Sequence, residues 1–147
     1  MALVRVQPEC FDVAAALAAI TAGRPQVGGV GSFVGLVRDE PGLVSLTVEH
    51  YPGMTERALA RIADAAMTRF DLIDVTLIHR VGTLFPGDSI VLVLAAARHR
   101  AAALAATGFL IDWLKTDAPF WKKERLASGE RWVEARSADA AAKDRWG

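Results

Sequence analysis

Hydrophobic positions along this chain switch repeatedly between a period of two and a period near 3.6, and the switches predict its elements. A short strand is expected at Leu3–Val6 and an alanine-rich helix from about Phe11 to Ala22. Val27–Val37 reads as a strand loosened by Gly28, Gly29, Gly31 and Gly35. Within Val44–Tyr51, Val44, Leu46, Val48 and His50 fall on one face and Ser45, Thr47 and Glu49 on the other, as in a half-buried strand. Pro52-Gly53 ends it. Leu59, Ile62, Ala63, Ala66 and Phe70 then recur at helical spacing opposite Arg57, Arg61, Asp64 and Thr68, which predicts an amphipathic helix.

From Ile73 alternation returns, with Val75, Leu77, His79 and Val81 on one face. The turn at Pro86–Asp88 leads into the apolar run Ser89–Ala97, so the pair predicts a hairpin whose second strand is well buried. A long helix follows from about His99 to Lys115. Pro119 stops it, lacking an amide proton and restricting the residue before it. Phe120–Arg125 and Arg131–Glu134 read as strands joined at Ser128-Gly129, and Ser137 is placed to cap a short final helix. Strands in consecutive pairs with helices between them predict an α+β fold with a largely antiparallel sheet.

Composition narrows the function classes. A chain of 147 residues, 52% hydrophobic, suits one domain spanning residues 1–147 with its own core. Basic and acidic residues balance at 17 each, so no global field draws in nucleic acid or an anionic membrane, and any anion site must be local. The longest apolar stretch, Ile90–Ala97, is far shorter than the about 20 residues of a bilayer-spanning helix. Cys10 is the single cysteine and has no internal partner for a disulfide. With no secretory pattern at the start, a reducing cytoplasm is the expected location.

Several segments invite chemistry and also have ordinary readings. The glycines of GGVGSFVG lie inside a strand-like segment and lack dinucleotide-loop spacing, so bulges or close packing explain them better. His50, His79 and His99 are too scattered to form a metal set, and His50 and His79 fit hydrogen-bonded core or rim positions. Cys10 fits a small apolar filler. Arg98-His99-Arg100 stands where a strand gives way to a helix whose first amide protons are unsatisfied. That arrangement is open between phosphate binding and a solvated basic edge. Lys115 has a ready explanation in the helix dipole. Lys122 and Lys123 follow Phe120-Trp121 on a strand, so only one of them readily shares a pocket with Lys115. An amine crowded by cations and desolvated by aromatics loses proton affinity and suits nucleophilic or acid/base work, whereas a solvated charge run is the plainer alternative.

GLVRD at Gly35–Asp39, EHYPGMTE at Glu49–Glu56 and HRVGTLFPGD at His79–Asp88 appear in order. They are followed by His99-Arg100, LKTDAPFWKKE at Leu114–Glu124 and RWVEAR at Arg131–Arg136. Together, over about 100 residues, they resemble the large-subunit family of molybdopterin synthase. That resemblance implies an α+β fold of the α/β-hammerhead type and a sulfurtransferase of molybdenum cofactor biosynthesis. Two sulfurs would be added to a cyclic pyranopterin monophosphate, forming the dithiolene. The donor would be a ubiquitin-like small subunit whose C-terminal Gly-Gly tail carries a thiocarboxylate. Large subunits would form a homodimer within a heterotetramer, and neither a cofactor nor a metal is implied.

Carried over by matching position, Lys115 would lie beside the thiocarboxylate and Lys122 would act as an acid/base or charge-stabilising group. Arg38, His99 and Arg100 would hold phosphate and pterin, with Lys123, Glu124 and Arg136 nearby; guanidinium suits phosphate through its planar fork. Leu36 departs from the pattern, since many relatives carry lysine there. Helix length adds a condition. Sixteen residues at about 1.5 Å each put roughly 24 Å between His99 and Lys115, too far for one small pocket. A two-fold dimer is therefore expected to bring His99 and Arg100 of one subunit toward Lys115 of the other. Two rivals remain: a non-catalytic dimer binding an anion through Arg38 and Arg100, and an interaction protein whose FWKKE strand adds to a partner's sheet.

Overall fold

The computed structural model describes residues 2–133 and 137–147. Strand β1 (Leu3–Gln7) leads through helix α1 (Val13–Thr21) to β2 (Gly29–Leu36) and β3 (Leu43–His50). Helix α2 (Met54–Phe70) precedes β4 (Asp74–Arg80), β5 (Gly82–Leu84) and β6 (Ser89–Ala97). Helix α3 (Arg100–Asp117), β7 (Phe120–Leu126), β8 (Gly129–Trp132) and α4 (Ser137–Asp144) complete the order. Two four-stranded sheets result, β1-β4-β6-β2 and β5-β3-β7-β8. Every described pairing is antiparallel except β1 with β4, so the expected α+β class is observed.

β6 is the centre of the first sheet, and its unbroken apolar run follows from cover on both faces. Val91, Val93, Ala95 and Ala97 pack with α2 and α3 residues such as Leu59, Ile62, Ala106 and Leu110. The alternate residues Leu92, Leu94 and Ala96 face the other way, toward Ile20 of α1 and Ile78. The expected hairpin of β4 with β6 is present, but its link contains β5, which leaves the first sheet and pairs with β3 in the second. The glycines of β2 serve close packing: a Cβ at Gly31 would collide with the α3 backbone at Ala103, and one at Gly35 would lie 2.6 Å from Val91 Cγ1.

Helix boundaries follow local chemistry. Asp12 caps α1 by accepting from the Ala15 amide at 3.0 Å. Gly53, at φ 85°, turns the chain into α2, where its amide donates to Glu56 Oε1 at 2.9 Å. The buried Thr55 hydroxyl accepts from the Tyr51 amide and donates to the Pro119 carbonyl, both at 3.0 Å. One hydroxyl thus ties the start of α2 to the bend between α3 and β7, joining the two most distinctive sequence segments. β8 ends at Trp132, earlier than expected, and Glu134 lies outside the described residues. The final helix starts at Ser137, whose side-chain cap lies outside what is described.

Candidate active site

A cavity of about 650 Å³ opens between the C-terminal end of α3, the inner face of β7 and the residues following β2. Pro119 breaks α3 and sends the chain into β7, so Lys115 near the helix end and Lys122 on the strand converge on this cavity. Antiparallel pairing with β3 sets which residues of β7 face inward. Phe120, Lys122 and Glu124 stand opposite His50, Val48 and Leu46, and Val48 is 1% exposed. These three line the cavity, whereas Trp121, Lys123 and Arg125 alternate to the other face.

Lys122 is the electrostatically unusual group. Burial is the main force lowering its pKa from 10.5 to about 8. The charge of Lys115 and a hydrogen bond with it add to the fall, and Asp139 opposes it. A substantial fraction of this amine is therefore neutral near physiological pH, as proton exchange with a reacting group requires. The floor beneath the pair is His79, 2% exposed and stacked on Phe120 with ring centroids 3.9 Å apart. Its Nδ1 donates to the Arg80 carbonyl at 2.8 Å, which leaves Nε2 as an acceptor. Burial above all, partly offset by that hydrogen bond, pushes the His79 pKa down to about 3; the nearby lysine charges push the same way. Among the described residues no three His, Cys, Asp or Glu side chains gather as metal ligands do.

The model of the family described as MoaE protein matches residues 6–117. The chain belongs to the MoaE protein family. It is 57% identical over 150 residues to a molybdopterin synthase catalytic subunit of Ralstonia nicotianae, covering all of this chain and 85% of that protein. Its fold matches the molybdopterin biosynthesis MoaE protein of Burkholderia ambifaria with a TM-score of 0.89 and 52% identity, covering 100% of this chain and 99% of the other. A Helicobacter pylori structure, a complex of subunits 1 and 2 of molybdopterin-converting factor, has a TM-score of 0.76 at 22% identity. The match covers 91% of this chain and 92% of that one, and shows the likeness of fold.

Within this MoaE-family framework the expected site residues divide. Lys115, Lys122, Arg38 and Glu124 share the cavity. Arg38 pairs with Glu40 at 2.8 Å, and Glu124 accepts from Arg131 at 3.0 Å. Lys123 is turned away, paired with Glu130 at 3.7 Å and lying 5.2 Å from the Trp132 ring centre. His99 and Arg100 are exposed at the opposite end of α3. At 1.5 Å per residue the unbroken helix holds Arg100 about 22 Å from Lys115. Arg136 lies outside the described residues. Leu36 is an exposed apolar side chain that lines the cavity.

Arg131 and Asp139 are among the cavity residues that the sequence did not single out. Arg131 was visible within RWVEAR, but only pairing of β8 with β7 sets it opposite Glu124. Asp139 carried no local signal, being one acid in an alanine-rich segment that only the packing of α4 brings to the cavity. No helix among the described residues is long and apolar enough to cross a membrane.

Proposed function

We propose that this chain is the catalytic subunit of a molybdopterin synthase, a sulfurtransferase that works in the cytoplasm on a cyclic pyranopterin monophosphate. Its sulfur donor is the C-terminal thiocarboxylate of a ubiquitin-like small subunit. The observation that carries the reading is the Lys115–Lys122 pair in a cavity where burial leaves Lys122 partly neutral. In each transfer a carbon–sulfur bond forms to the substrate as one of its carbon–oxygen bonds breaks, the oxygen staying on the opened phosphate in one transfer and leaving as water in the other. Hydrolysis then breaks the acyl carbon–sulfur bond of the tail, water supplying the oxygen of the carboxylate left behind. Lys122 moves protons in these steps, and Lys115 lies beside the thiocarboxylate. Arg38 supplies the charge that a phosphate needs at the cavity edge. Glu124 holds Arg131 in place beside it.

Incubating the protein with a thiocarboxylated small subunit and the pyranopterin should give, by mass spectrometry, a product with two added sulfurs; no such product with verified reagents would sink the assignment. The reading includes a homodimer within a heterotetramer, because His99 and Arg100 cannot reach Lys115 of their own chain. Mixing His99→Ala and Lys115→Ala proteins should restore about one quarter of wild-type turnover, since half of randomly paired dimers carry one intact site of two. Verified mixed dimers without recovery would exclude shared sites.

A further inference from the structure

Helix α4 is clamped onto α3 by polar contacts that bracket Lys115. Lys143 Nζ meets Asp117 Oδ1 at 2.7 Å, and Arg145 Nη2 and the Trp146 indole N–H both donate to Asp112 Oδ2, at 2.8 and 2.7 Å. Trp146 also packs edge-on against Phe70 and Phe109, and Arg69 donates to its carbonyl at 2.6 Å. Asp139 stands four residues before Lys143, on the same side of α4, and lines the cavity.

Charge matching singles this residue out. Glu40, Glu124 and Asp139 are the carboxylates lining the cavity among the described residues. Glu40 is engaged by Arg38, Glu124 is engaged by Arg131, and Lys143 on Asp139's own helix is engaged by Asp117. Among the described residues the groups around Lys122 are thus Lys115 from α3, His79 from β4, the Glu124–Arg131 pair from β7 and β8, the Arg38–Glu40 pair after β2, and Asp139 from α4. We propose that Asp139 is a positioning residue for the amine pair, a carboxylate carried into the cavity by α4 to balance the charge of Lys122. It favours the ammonium form, against burial and Lys115, which favour the free amine. The clamp on α3 is then part of the reaction machinery. This inference rests on Lys122 being the acid/base group of the proposed sulfur transfer.

The test reads Lys122 directly. Acetylation by acetic anhydride, followed peptide by peptide by mass spectrometry across a pH series, reports the neutral fraction of this amine without any turnover. Asp139→Asn should lower the Lys122 midpoint and raise its labelling rate at neutral pH about two- to threefold, the change that roughly half a pKa unit gives. Asp139→Glu should restore the parent rate, and the acid limb of turnover should move to lower pH in the Asn variant alone. An unchanged or slower rate in Asp139→Asn, or a Glu variant that behaves like the Asn one, would overturn the proposal. Failure of the two-sulfur product would instead sink the reaction and leave this titration standing.

Discussion

Strand β7 carries two lysines side by side, and its two faces give them different chemistry. On the inner face Phe120, Lys122 and Glu124 line a cavity closed by Leu114, Ala118 and Ile90, with a second amine close to Lys122. On the outer face Trp121 is 42% exposed, and Lys123 reaches Glu130 and the Trp132 ring across the pairing with β8. Residue type and sequence position are nearly identical. Burial and the neighbouring charge of Lys115 make the difference, so a pKa pushed down to about 8 belongs to the place and not to the lysine.

Replacing Lys122 should produce the largest effect on this contrast. Lys122→Ala is expected to lower turnover about a hundredfold or more, the range of a lost acid/base group, without lowering the melting temperature. Lys122→Arg should fail similarly, because guanidinium keeps its proton. If the neutral amine is the working form, parent turnover rises as pH climbs through about 8. The folded value lies below the unfolded one, so the fold is disfavoured while both states hold the proton and gains stability between about 8 and 10.5. Steady-state turnover of Lys122→Ala within about threefold of the parent would erase the distinction between the faces.

His79 tests the same contrast from beneath the inner face. Its folded pKa of about 3 lies below the unfolded 6.5, so the unfolded chain takes up the proton first as pH falls. Stability should therefore drop between 6.5 and about 3, at roughly 1.4 kcal/mol per pH unit. His79→Phe keeps a ring against Phe120 and removes the titration. Urea melts at several pH values should show a shallower acid loss in this variant. An equal slope in both proteins would mean that His79 does not stay neutral on folding.

How far this contrast was legible in the sequence depends on the distance over which each part is decided. Period-two alternation already required Lys122 and Lys123 to diverge, and Pro119 already ended the helix. Which lysine faces inward is set by the register that places Val48 opposite Lys122, with 73 residues between them, and no local pattern contains it. β5 was hidden for a related reason. Alternation from Ile73 to Val81 showed faces but not partners, so the passage of Gly82–Leu84 into the second sheet could not be read. Lys115 and Lys122 looked like an ordinary basic stretch until the ordered segments raised the resemblance. Asp139 was invisible because its meaning comes wholly from the docking of α4 on α3.

The smallest expected effect falls on the outer face. Lys123 was carried over as a residue near the substrate, yet its own contacts are a partly exposed ion pair with Glu130 and a cation over Trp132. Such a pair contributes about 0–1 kcal/mol, and an exposed cation–π contact roughly 0.5–1 kcal/mol. Lys123→Ala should accordingly lower the melting temperature by no more than about 8 °C and leave turnover within about threefold of the parent. The outcome separates two kinds of residue that lie together in the FWKKE segment. If Lys123→Ala lost turnover as severely as Lys122→Ala, the outer face of β7 would have to meet substrate, and the only route open to it would be a cavity on a second subunit. A near-silent Lys123→Ala beside a dead Lys122→Ala would fix the reaction to the inner face alone.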